Sequence, residues 1–173
     1  MKALLTKIRN RKGQSIVEIS LITPLLLVAL VVPADFGVAF LAANLTNTAA
    51  REGARIGSQI AKSGGTDDDR DFDTTNAAAV KTEVVAKMPT YLSNRSVTVK
   101  FYEDTAANCL ETVEVTASGE YNYYFYQILR MFGATVPNKN TISRTAQFVY
   151  RYQPYTNDTR CTTTTVNQSY TNL

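Results

Sequence analysis

The 173 residues suffice for one domain with appendages and a core that needs no staples. The net charge of +3 hides a split: Lys2, Lys7, Arg9, Arg11 and Lys12 stand in residues 1–13 without an acid, leaving 13 basic against 15 acidic residues beyond, a balance that excludes a basic nucleic-acid surface. His and Trp are absent, so the commonest general base and metal ligand is missing; with no other catalytic constellation visible, no enzyme, cofactor or metal site is expected.

Residues 1–13 form a basic leader, and residues 14–62 read as a transmembrane helix with its extension. From Ile19 to Leu41 the chain is apolar apart from Ser20, Thr23 and Asp35. As a helix these 23 residues rise about 34 Å, enough for a hydrocarbon core of about 30 Å. Pro24 and Pro33 do not forbid a span, because spanning helices tolerate proline with a local kink. The basic cluster ahead of it predicts a cytoplasmic N-terminus and an exported remainder. A cleaved secretory signal, cut near Ala43 in "AFLAAN", is the rival reading, although the apolar run exceeds the usual length of such a region.

Two acids lie in or beside this run. Glu18 falls one residue before its uncharged core, where headgroups and the positive end of the helix macrodipole favour a carboxylate. Asp35 lies 17 residues further on, about 25 Å higher, and two readings stay open for it: an interfacial residue or a polar helix–helix contact. Beyond the run, Leu41, Leu45, Ala49, Ile56 and Ile60 continue at helical spacing. Ala49, Gly53 and Gly57 make a ridge of small residues at every fourth position. Glycine costs a helix about 1 kcal/mol relative to alanine, so the ridge predicts close approach of a sheet or of another helix. Glu52 is placed to pair with Arg55.

Residues 63–76, "SGGTDDDRDFDTTN", are expected to be an acidic flexible loop. Asp67, Asp69, Asp71 and Asp73 alternate as in a calcium loop, but Phe72 and Ala78 occupy the positions of its glycine and its final glutamate, which argues against calcium. Residues 77–160 are expected to form the exported α+β domain. "NAAAVKTEVVAKMP" predicts a short helix with Val80, Val84 and Met88 on one face and Pro89 as its stop. "SVTVKFYED", "ETVEVTASGEYNYYF" and "TISRTAQFVYRYQ" predict a roughly three-stranded antiparallel sheet, with a bulge or bend at Gly119. Eight of the ten tyrosines follow residue 120. They suit strand packing, a protein or membrane contact, or a glycan surface. Residues 161–173 read as a polar tail ordered only near Cys161. Cys109 and Cys161 fit no metal spacing. In an oxidising compartment they are expected to pair, stabilising the fold by roughly 4 kcal/mol on a chain-entropy model.

Gly13 followed by Gln14 and then Glu18 resembles the processing site of type IV prepilin-like proteins. Together with the proline-bearing apolar run, "DFG" at Asp35–Gly37 and "AAREGAR" at Ala49–Arg55, it resembles the TadE-like family, pseudopilin-like minor components of the Tad (Flp) pilus assembly machinery. Pro33, before the "DFG", departs from the small apolar residue of that pattern. The resemblance implies a single-pass protein of the bacterial inner membrane with a pilin-like fold, cut after Gly13 by a prepilin peptidase. Its implied partners are that peptidase, other pilin-like subunits, the Tad assembly machinery and the lipid bilayer. It further implies that Glu18 becomes the fifth mature residue, able to meet the new N-terminal amine of a neighbour. Arg51, Glu52 and Arg55 belong to the family motif, and Asp35, Ala49, Gly53 and Gly57 are the further helix-packing candidates. An unprocessed single-pass periplasmic or surface binding module is the alternative.

Overall fold

α1 (Lys2–Gly57) is one 56-residue helix that runs through both Pro24 and Pro33. Four of its hydroxyls, on Ser20, Thr23, Thr46 and Thr48, bond back to its own carbonyls. Ser20 Oγ donates to the Val17 carbonyl at 2.8 Å, Thr23 Oγ1 to Ile19 at 2.7 Å, and the buried Thr46 Oγ1 to Ala42 at 2.8 Å. Such back-bonding lets a polar side chain sit in apolar surroundings without an orphaned donor. A computed structural model of the chain describes residues 2–60, 74–104, 110–124, 127–131, 133, 135, 137–151 and 166–173.

The remaining elements follow in chain order: α2 (Thr74–Lys87), β1 (Ser93–Asp104), β2 (Leu110–Asn122), α3 (Ile128–Met131), β3 (Lys139–Val149) and β4 (Val166–Tyr170). The fold is α+β, as expected. The sheet, however, has four antiparallel strands in the order β3-β2-β1-β4, where three were predicted. The fourth lies in the supposed tail. "VNQSY" carries too little apolar alternation to announce itself, and it is a strand because the free edge of β1 offers it hydrogen-bond partners, from Val97↔Tyr170 to Phe101↔Val166. The chain end is fastened there as well: Leu173 N donates to the Arg95 carbonyl at 3.2 Å, and Arg95 Nε donates to the Leu173 carbonyl at 3.1 Å.

The chain divides into two compact units. One comprises Met1–Val38 with Tyr123–Asn138, and the other Ala39–Asn122 with Lys139–Leu173. In the second unit, period-two alternation puts Val97, Val99, Phe101, Val113, Val115 and Ala117 on one fully buried face. Burying each valine contributes about 1.5–3 kcal/mol before entropy is counted. Cross-strand register stacks these residues, with Val97 opposite Ala117, Val99 opposite Val115 and Phe101 opposite Val113. The other face is polar and zipped across strands: Thr116 and Thr145 hydroxyls lie 2.8 Å apart, Lys100 Nζ is 3.3 Å from Glu114, and Gln147 Nε2 donates to Glu114 at 2.6 Å.

α2 sets Ala77, Val80 and Val84 onto the buried face, with Met88 3% exposed, and Pro89 then prevents further helix. The residues just past α1 are tied to those just past β3. Arg151 N donates to the Ser58 carbonyl and the Tyr150 hydroxyl to the Ile60 carbonyl, both at 2.8 Å. The expected irregularity at Gly119 lies on the facing strand instead. β1 bulges between Ser93 and Ser96, with Asn94 at φ 48°, while Gly119 keeps its pairing with Ile142. Gly119 is needed for closeness, since a Cβ there would stand 3.1 Å from Leu92 Cβ.

The same demand is sharper at Gly53. A Cβ at this position would overlap Val84 Cγ2 and stand 3.4 Å from Val115 Cγ1 and 3.6 Å from Val80 Cγ1. Gly53→Ala is therefore expected to destabilise the unit by about 1 kcal/mol, overpacking outweighing the gain in helix propensity. Val84→Ala should cost less in that background than in the wild type, a non-additivity that denaturant unfolding of both singles and the double variant measures.

Candidate functional site

The site candidates lie along α1, and the size of the side chains separates them. Between Ser15 and Leu30 every described residue is exposed except the half-buried Val28. Leu21 and Leu30 are each 73% exposed and Leu25 68%. None of the most apolar stretch of the helix is buried, and its length and composition make it a candidate membrane span. Glu18 is exposed on this bare stretch. Gly13 and Gln14 lie on the same helix, with Gln14 one turn before Glu18 and about 6 Å below it along the axis.

Asp35 is placed differently. It is 1% exposed, and its Oδ1 accepts a hydrogen bond from the backbone N–H of Tyr124 at 3.4 Å. Beside it the Phe36 and Tyr123 rings meet with centroids 6.0 Å apart, inclined at 58°. An intramembrane carboxylate costs about 2.5–3.5 kcal/mol on insertion scales, so a donor from the chain itself removes much of the objection to an acid here. This partner was not legible in the sequence, because a backbone N–H carries no residue identity.

Further along, "AAREGAR" becomes a two-sided surface. Ala49, Ala50 and Ala54 are fully buried, Gly53 faces Val80, Val84 and Val115, and Gly57 is buried as well. The ridge of small residues is thus occupied inside its own unit by α2 and the sheet. Arg51 and Arg55 face solvent. Glu52 binds Arg55 through Oε1 to Nη2 at 2.6 Å and Oε2 to Nε at 2.9 Å, the pairing the spacing predicted. It also takes Lys87 Nζ of α2 at 3.1 Å, which spacing within one helix could not reveal. Arg55 and then Lys87 hold the Glu52 carboxyl down at about 2, from an ordinary 4.5. On the polar face of the sheet, Lys139 and Asn94 likewise lower Glu120.

Of the tyrosines, Tyr121 and Tyr150 are core residues, Tyr150 edge-on to Phe101 at 5.2 Å, and Tyr170 carries Lys81 Nζ 5.2 Å above its ring. Tyr124 is 67% exposed. Cys109 and Cys161, with their expected disulfide, and Asp67, Asp69, Asp71 and Asp73 lie outside the described residues.

The family model described as "TadE-like protein" matches residues 13–55. That segment is similar to the TadE-like family, as its motifs implied, and the match runs from Gly13 to Arg55, the partner of Glu52. No curated protein and no solved structure matches the chain.

Glu52 lies eleven residues beyond Leu41, the last of the apolar run, and its titration reports on the docking of α1 against α2. A depressed carboxyl contributes stability that is complete above its ordinary pKa and is lost as pH falls through its folded value. Acidification from about 4.5 towards about 2 should therefore weaken the wild-type unit. Thermal unfolding across that range should show a smaller loss for Glu52→Gln, the residual acid sensitivity including that of Glu120.

Proposed function

We propose that the chain is a membrane-anchored, prepilin-like subunit that takes part in assembling a Tad/Flp-type pilus or a related secretion apparatus. The observation that carries this reading is the coincidence of the TadE-like segment with one helix that is bare and apolar from Ser15 to Leu30 and packs into its own α+β unit from Ala39. In this reading the basic leader stays in the cytoplasm, residues 19–41 cross the inner membrane, and the sheet is exported. A prepilin peptidase removes residues 1–13 and leaves Gln14 as the N-terminus.

The work is assembly and involves no catalysis. Bare helices of pilin-like subunits pack side by side in lipid, where apolar contact alone gives little preference for one axial register. Glu18 supplies it. A carboxylate at the edge of hydrocarbon is far better tolerated beside a cation, and the newly exposed amine on an adjacent subunit is a cation at a fixed height. The ridge at Ala49, Gly53 and Gly57 is consumed in joining the helix to its own domain, so contacts between subunits fall to the bare half. A domain of this size favours a minor subunit over the principal one.

Gly13→Ala should block maturation, and intact-mass measurement of the membrane fraction should find the leader retained, whereas the wild type lacks thirteen residues. Retention of the leader in the wild type would favour a single-pass binding module instead. Glu18→Ala should insert and mature normally yet impair assembly, with filament or secretion output as the readout. Unchanged output would leave Glu18 an interfacial residue.

A further inference from the structure

Residues 123–138 leave the sheet between β2 and β3 and close on themselves. Tyr123 N donates to the Asn138 carbonyl at 3.0 Å, Gln127 Nε2 to the Tyr123 carbonyl at 3.2 Å, and Gly133 N, at φ 81°, to the Arg130 carbonyl at 3.0 Å. The connection is thus joined at its ends, and its described residues include the exposed Tyr124 and Arg130. It belongs to the same unit as residues 1–38, and the Tyr124 N–H to Asp35 bond fastens it to α1. On its inner side Asp35 and Tyr123 are buried, whereas Tyr124 is 67% exposed, Phe36 49%, and Arg130 is exposed.

The height of this face along the helix identifies what covers it. Asp35 stands 16 residues after Ile19, about 24 Å of rise against a hydrocarbon thickness of about 30 Å. The face is therefore continuous with the candidate span and lies about 6 Å short of the outer headgroups, within reach of a tyrosine or arginine side chain that extends towards water. Tyrosine and arginine are the side chains that boundary accepts, the ring among acyl carbonyls and the guanidinium at lipid phosphate. We propose that Phe36, Tyr124 and Arg130 form a lipid-contact surface seated in the outer membrane–water interface and positioned there by the Asp35 bond to Tyr124. This inference rests on the reading of α1 as a membrane span. It adds a second point of membrane contact, far from the span in sequence, that fixes the depth of the helix.

The chain contains no tryptophan, so a single introduced indole reports without background. Tyr124→Trp in the full chain, reconstituted into phosphatidylethanolamine–phosphatidylglycerol vesicles, is expected to emit to the blue of free N-acetyl-tryptophanamide. Lipids brominated near the glycerol end of the acyl chain should quench it more than lipids brominated near the methyl end. Leu30→Trp, at mid-span, should show the reverse order. If Leu30→Trp is quenched by lipid while Tyr124→Trp is as open to aqueous acrylamide as the free indole, the interfacial surface is overturned and the span stands. Shielding of Tyr124→Trp from both lipid and acrylamide would overturn it too, because protein would then cover the face. If Leu30→Trp escapes lipid quenching, the span reading itself fails, and the surface with it.

Discussion

Side chains along α1 change size near Ala39, and that change decides what each part of the helix can touch. From Ser15 to Leu30 leucine, isoleucine and valine dominate and, apart from the half-buried Val28, stand exposed. Soluble monomers rarely leave contiguous apolar surface of this extent uncovered, so its partner is lipid or other helices. From Ala39 to Gly57 the buried positions are alanine and glycine apart from Thr46, and at Gly53 the side chains of Val84 and Val115 come close. A bulky residue at Gly53 would hold α1 off Val84 and Val115, whereas Leu21 and Leu25 meet nothing of the chain that limits their size. One continuous helix thus carries two kinds of surface, because residue volume is sorted along it.

The Ala49–Arg55 motif acquires a physical sense from this sorting. Its small residues admit α2 and the sheet, while Glu52 gathers Arg55 from its own helix and Lys87 from α2. The charges are exposed enough for water to screen them, and they contribute modestly to stability. Their value is orientation, since a smooth ridge of alanine and glycine leaves the angle between two helices loosely defined and a three-member charge cluster narrows it. Asp35 follows the same logic with a different partner. An acid that would be costly in an apolar run is kept in place by a backbone donor delivered from residues 123–138.

Local pattern revealed much of this. The apolar run, the Glu52–Arg55 pair, the buried face formed by Val80, Val84 and Met88, and the alternation of β1 and β2 each depend on neighbours a few residues apart. β4 escaped notice for the opposite reason: nothing in "VNQSY" outweighs its polarity, and only the open edge of β1 makes it a strand. The bulge was placed at Gly119, where glycine marks the site. The extra residue sits across the ladder near Asn94, while Gly119 keeps its pairing with Ile142 and lies close to Leu92.

Sequence by itself determined which segments are greasy and which alternate, because those properties are written in residue type and spacing. Tertiary structure alone decided which surfaces of α1 are occupied. It turned the ridge of small residues inward, gave Glu52 a second cation from another helix, and brought the Tyr124 N–H to Asp35 across 89 positions of chain. Spacing along a chain foretells contacts between residues one turn or one rung apart. A contact across that distance exists only once the backbone has folded, and a main-chain donor looks alike at every residue that could have supplied it.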